Sequence, residues 1–172
     1  MSIRSVLTSL FEYKASAGSD LLDSLADVEQ AVPQDKFHRA LRILNHAHIV
    51  DRIFLAHLQG QPHGFTASWQ SDAPAVGDLA KATREVDQNY LAHLNTLDDE
   101  ALDEEISFTF TDGQSGRMTR AEMLLHVATH SGYHRGEAGS HIPEVEAASM
   151  RDVFAGYLHR AEPARRQRSV TS

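Results

Sequence analysis

Between two long helical patterns lies a stretch with no pattern, and it limits the topologies open to this chain. Gly60 to about Ala75 is rich in Gly, Pro, Ser and Asp and shows no clear apolar period, so it reads as a connection. Before it, Pro33 to Leu58 carries Phe37, Leu41, Leu44, Leu55 and Leu58, with Ala40, Ala47 and Phe54, on a broad apolar face. Pro33 suits the first helical turn, where an amide needs no partner, and Gly60 and Pro62 end the pattern. After it, Val76 to Leu97 places Leu79, Ala82, Val86, Tyr90, Leu94 and Leu97 at helical spacing. A helix of about 26 residues is ~39 Å long, and about 16 extended residues reach ~53 Å. The connection can therefore run back along the bundle, so that helices two and three lie parallel. An up-down-up-down bundle needs only a short loop there.

The other elements follow from the same rules. Ile3 to Val28 forms a first helix on Val6, Leu10, Tyr13, Leu21, Leu22 and Leu25, with Gly18 as its weak point. After the third helix, Ile106 to Phe110 alternates apolar and polar residues, and Asp112-Gly113 marks a turn, which together predict a small hairpin. Thr119-Arg-Ala-Glu122 has capping-box spacing, so a fourth helix starts at about Thr119 and ends near Gly136 to Ser140. Pro143 to Ala148 reads as a loop, and Met150 to Arg160 as a short fifth helix. The expectation is an all-α four-helix bundle with a small β-hairpin between helices three and four and a short C-terminal helix. One domain spans residues 1–162, and residues 163–172 form a disordered basic tail.

Charge and composition narrow the function. The formal net charge of −8 disfavours nucleic acid, whose binders carry basic patches; the basic cluster here, Arg160 to Arg168, reads as solvated tail. No apolar run reaches the roughly 20 residues of a membrane span, and the N-terminus lacks a signal-peptide pattern. A cytoplasmic location is the default expectation. With no cysteine, any metal must be held by nitrogen and oxygen.

The 11 histidines are the unusual feature. His126, His130 and His134 recur every four residues on the fourth helix, along one face. Two imidazoles one turn apart can reach one metal ion. All three span ~12 Å of rise, too far for a single ion, so the pair is either His126 with His130 or His130 with His134. Ser131 follows the first histidine of the second pair, where a metalloprotease motif has Glu. A third ligand must come from another helix. His46 and His48 on the second helix are candidates, but they sit about 200° apart, and spacing does not choose between them. His38, His57, His63, His93, His141 and His159 match no ligand spacing and read as flanking polar residues.

Several segments together resemble the DinB family of four-helix metal proteins. They are Leu44-Asn-His-Ala-His-Ile-Val-Asp-Arg-Ile-Phe54, His63-Gly-Phe-Thr-Ala67, Phe108-Thr-Phe-Thr-Asp-Gly113 and, most strongly, Met118 to Gly136. The resemblance spans most of residues 8 to 165. It implies an up-down-down-up bundle holding a divalent metal through three histidines. By the family motif those ligands fall on His46, which follows Asn45, and on His130 and His134, leaving His126 one turn away.

Three neutral imidazoles leave a divalent ion its full charge and an open position. There it can lower the pKa of water to about 7 or take the proton of a substrate thiol. The resemblance implies hydrolase chemistry or transfer of low-molecular-weight thiols, in detoxification or stress response. The partner is then a small-molecule substrate, and homodimers are common in the family. The non-catalytic alternative is a bundle that binds metal for structure or sensing. Asp51, Glu137 and Tyr133 are candidate base or orienting residues, with Tyr133 expected rather to pack and Arg135 to lie at the surface or contact an anion. Histidine-only sites suit zinc, nickel, iron or copper, with zinc or nickel first.

Overall fold

The computed structural model describes residues 2–145 and 153–166. Its elements in chain order are α1 (Ile3–Val28), α2 (Gln34–Leu58), α3 (Val76–Asn95), the short α4 (Asp99–Leu102), β1 (Glu105–Thr109), β2 (Ser115–Thr119) and α5 (Arg120–Ser140). A 3-10 turn at Pro143–Val145, then α6 (Phe154–Ala161) and the single turn α7 (Pro163–Arg166), complete the fold. The expected fourth helix is thus α5. The expected fifth, Met150 to Arg160, appears as α6, with residues 150–152 outside the described residues.

Two apolar clusters show how the helices run. One holds Leu7 and Phe11 of α1, Ile49 to Leu58 of α2, Val86 to Leu94 of α3 and Met123 to Ala128 of α5. The other holds Leu21 to Leu25, Phe37 to Leu44, Val76 to Ala80 and Ala138 from the same four helices. The first half of α1 and of α5 therefore meets the second half of α2 and of α3, which is up-down-down-up order. α1 packs on α3 and α5, and α2 packs on α5 and α3. Burying one Leu or Phe contributes about 1.5–3 kcal/mol, and Phe11, Leu25, Tyr90, Leu94, Met123 and Leu124 are all at or below 1% exposed.

The connection after α2 takes the return path that its length allows. Arg52 lies over the Phe65 ring at 4.7 Å, His46 meets the Ser68 carbonyl, and Arg42 donates to the Gln70 carbonyl at 3.3 Å. As the connection advances, its contacts step back toward the start of α2. Asn45, 4% exposed, donates to Gln70 Oε1 at 3.4 Å.

The local chemistry matches the elements. β1 and β2 pair antiparallel, with Phe108 opposite Gly116, and Gly113 sits in the turn at φ 87°, a left-handed conformation that favours glycine. Thr119 and Glu122 form the complete capping box, with the Thr119 hydroxyl accepting from the Glu122 amide at 3.1 Å and Glu122 accepting from the Thr119 amide at 2.7 Å. α1 runs unbroken through Gly18. Pro33 caps α2 from one residue outside it. The tail expected to be disordered from Pro163 instead begins with the turn α7, where Arg165 and Arg166 pair with Glu162 at 2.9 and 3.1 Å. Residues 167–172 lie outside the described residues. No helix among the described residues is long and apolar enough to cross a membrane.

Between the two apolar clusters the interior is polar. At mid-height each long helix contributes buried polar side chains: Lys14 from α1, Asn45, His46, His48 and Asp51 from α2, Asp87 from α3, and Ser131, His134 and Arg135 from α5.

Candidate metal centre

The capping box fixes where α5 begins, and helical pitch then sets His130 and His134 one turn apart on the face toward α2. Their ring centroids are 4.4 Å apart. α2 packs against that face and presents His46, whose ring lies 5.1 Å from His130 and 4.8 Å from His134. One nitrogen from each of the three falls within 4.8 Å of the other two, so the group could bind one divalent ion.

Two of the rings are oriented by groups outside the trio. His46 Nδ1 lies 3.0 Å from the Ser68 carbonyl, which can only accept. The ring therefore donates from Nδ1 and keeps the Nε2 lone pair for the centre. His134 Nδ1 lies 2.8 Å from Glu137 Oε2 and does the same. Trp69 stacks on His46, with centroids 4.0 Å apart and an interplanar angle of 5°. Burial lowers the His46 pKa, with the Ser68 hydrogen bond opposing it. Burial, then the neighbouring His134, His46 and His126, push His130 down to about 3. His46 and His130 are thus neutral at pH 7, the protonation state that a metal requires. His130 Nδ1 is buried without a hydrogen-bond partner, an orphaned polar atom in a trio otherwise arranged to ligate.

The remaining candidates separate. His48 is 6% exposed and lies outside the three-residue group, lining one cavity with Arg52, Glu85 and Asn89 and another with Lys14, Asp51 and Ser131; burial lowers its pKa to about 4. His126 lies one turn before His130, 5.3 Å away by ring centroid, and packs on Phe54 at 4.7 Å, outside the three-residue group. Glu137 orients His134. Asp51 is 3% exposed, pairs with Lys14 at 2.6 Å and accepts from the Ser131 hydroxyl at 3.0 Å. Tyr133 does not pack in the core but is 70% exposed, its ring 5.0 Å from His134. Arg135 is not at the surface; it is 4% exposed, 5.5 Å from the Tyr13 ring. His57 and His63, read as flanking polar residues, are half-buried; their rings meet at 4.9 Å, and each buries one ring nitrogen.

Sequence reasoning passed over two groups. Ser68 and Trp69 sit in a stretch without periodicity, which gives no local signal of what they touch. Lys14 pairs with both Asp51 and Asp87, and Tyr90 donates from its hydroxyl to the Asp51 carbonyl at 2.6 Å. Burial alone lowers the Lys14 pKa, but the two carboxylates outweigh it and the net shift is upward. A signal was present here, because Lys14 stands on the Phe11–Gly18–Leu21 stripe and Asp87 on the Ala80–Tyr90–Leu94 stripe. A charge on an apolar stripe is stable only when paired, and removing one partner costs about 3–5 kcal/mol.

Beside the trio opens a cleft of about 220 Å³, with His46 and His130 in its wall. Four antiparallel and parallel helices with a three-histidine group on two of them define a helical bundle suited to hold one metal ion. The family model of the DinB family matches residues 3–164, and the chain belongs to that family. No curated protein matches the chain, and no solved structure does.

Proposed function

We propose that this chain is a metal-dependent enzyme that activates a small nucleophile, water or a low-molecular-weight thiol, for attack on an electrophilic small molecule. The observation that carries this reading is the ligand count. The group has three histidines and no fourth His, Cys, Asp or Glu among the described residues, whereas structural zinc sites are closed by four ligands. His46, His130 and His134 would hold the ion, zinc or nickel first and iron third in expectation. Ser68 and Glu137 fix two of the rings so that the same nitrogens face inward. A divalent ion supplies Lewis acidity, which lets a water or thiol lose its proton near neutral pH. The need for that acidity is supported by the carboxylates: Asp51 is held by Lys14 and Ser131, and Glu137 by His134. A role in detoxification or stress response accords with such chemistry.

The test is elemental analysis of protein purified without a nickel column, followed by turnover assays with several cellular thiols and with ester and amide substrates. The expected result is about one divalent ion per chain and turnover in one of the two assays. Thiol-dependent turnover assigns an S-transferase, and ester or amide cleavage a hydrolase. Protein without bound metal that takes up none when offered would overturn the proposal.

A further inference from the structure

The cleft beside the trio has a chemistry of its own. Beyond His46 and His130, its apolar walls are Val50, Ile53 and Phe54 from α2 and Phe108 and Phe110 from the hairpin, and His57, Ser68, Thr111 and His126 add polar groups to the lining. The aromatic rings are packed against one another: Phe54 lies 5.8 Å from Phe108, and Phe108 lies 4.9 Å from Phe110 at 72°. The hairpin makes this possible through one residue. A Cβ at Gly116 would stand 2.6 Å from the Phe108 ring and 2.8 Å from the Phe110 ring, so only glycine lets both rings lie across the facing strand. Aromatic side chains also rim the site without being buried. Phe110 is 44% exposed, Trp69 47% and Tyr133 70%. Trp69 stacks on His46 and Tyr133 lies 5.0 Å from His134, so exposed rings stand beside the histidines as well as in the cleft wall.

We infer that the cleft binds a small molecule carrying one aromatic ring, seated among Phe54, Phe108 and Phe110 with its reactive group toward His46 and His130. The inference rests on those histidines being the reactive end of the site. Volume sets the size class. An apolar cavity of about 150 Å³ accommodates benzene, so about 220 Å³ has room for one ring with a short substituent. Chemistry sets the kind. Edge-to-face and offset contacts favour an aromatic ring over a polar chain of the same length.

The experiment is a 19F NMR titration of the full chain with 4-fluorobenzyl alcohol, run on protein as purified and again after chelation, with 3-fluoro-1,2-propanediol as the polar control. Saturable binding of the aromatic probe alone is expected in both preparations. Phe110→Ala, at an exposed position that leaves the core intact, is expected to weaken it about five-fold or more. Gly116→Val, which displaces both rings, is expected to abolish it. No saturable binding by the wild type, equal binding of the polar control, or unchanged affinity in Phe110→Ala would each overturn the inference. Because the chelated protein is titrated too, a failed metal assignment leaves the cleft result readable.

Discussion

At the scale of single residues, the site turns on which nitrogen faces inward. Periodicity leaves His46 and His48 equivalent, because both flank the apolar stripe of the second helix and residues two apart point to opposite sides. What separates them is tertiary: the returning connection places the Ser68 carbonyl and the Trp69 ring on His46, whereas His48 is buried outside the three-residue group. Glu137 would act on a bound metal through His134. Glu137→Gln keeps an acceptor at the same reach but removes the charge, so it weakens the hold on the ring without abolishing it. Metal affinity measured by competition with a chelator is predicted to fall about 10-fold, toward the low end of the range for removing such a partner. Affinity equal to wild type would show that the hydrogen bond at 2.8 Å does not orient the ligand. The triad itself was legible only in part. Four-residue spacing marks His130 and His134 as a pair but cannot exclude His126, and the choice of His46 came from family resemblance.

At the scale of elements, α5 depends on a start that the sequence spells out. Thr119 and Glu122 satisfy two amides reciprocally, and they fix the phase at which His130 and His134 meet α2. Thr119→Ala is predicted to lower stability by about 1 kcal/mol, read as a shift of the urea midpoint, with Glu122→Ala showing a similar loss. A loss from Thr119→Ala that is unaffected by a prior Glu122→Ala would contradict the reciprocal arrangement. The long helices, the hairpin and the cap were readable because each rests on local rules: apolar period, a Gly at positive φ, a hydroxyl three residues before a carboxylate. The short α4 was not, since four residues carry no period. Lys14 and Asp87 went unread for a different reason. Each is a charge on an apolar stripe, and its partner lies on another helix, Asp87 being 73 residues from Lys14.

At the scale of the whole molecule, the connection of Gly60 to Ala75 links topology to site. Its length permits α2 and α3 to run parallel, and its path along α2 delivers Ser68 and Trp69 to His46. The polar layer between the two apolar clusters then makes global stability depend on pH. His48 has a folded pKa of about 4 against an ordinary 6.5, and His130 is lowered further. Between those values the unfolded chain binds protons that the folded chain excludes. The stability contributed by the neutral rings is present above pH 6.5 and is lost as pH falls toward 4, by up to about 1.4 kcal/mol per pH unit for each proton. In metal-free protein the urea midpoint is predicted to drop between pH 7 and pH 5, and to drop less in His48→Gln. Identical drops in the two proteins would show that His48 is not buried in its neutral form.

The central claim is that His46, with His130 and His134, holds one metal ion, and that His48 does not. The direct measurement is metal stoichiometry, by mass spectrometry of elements, for wild type, His46→Ala and His48→Ala purified side by side without a nickel column. The account predicts about one ion per chain in wild type and in His48→Ala, and loss of most of it in His46→Ala. Full occupancy in His46→Ala, or loss in His48→Ala with His46 intact, would contradict it.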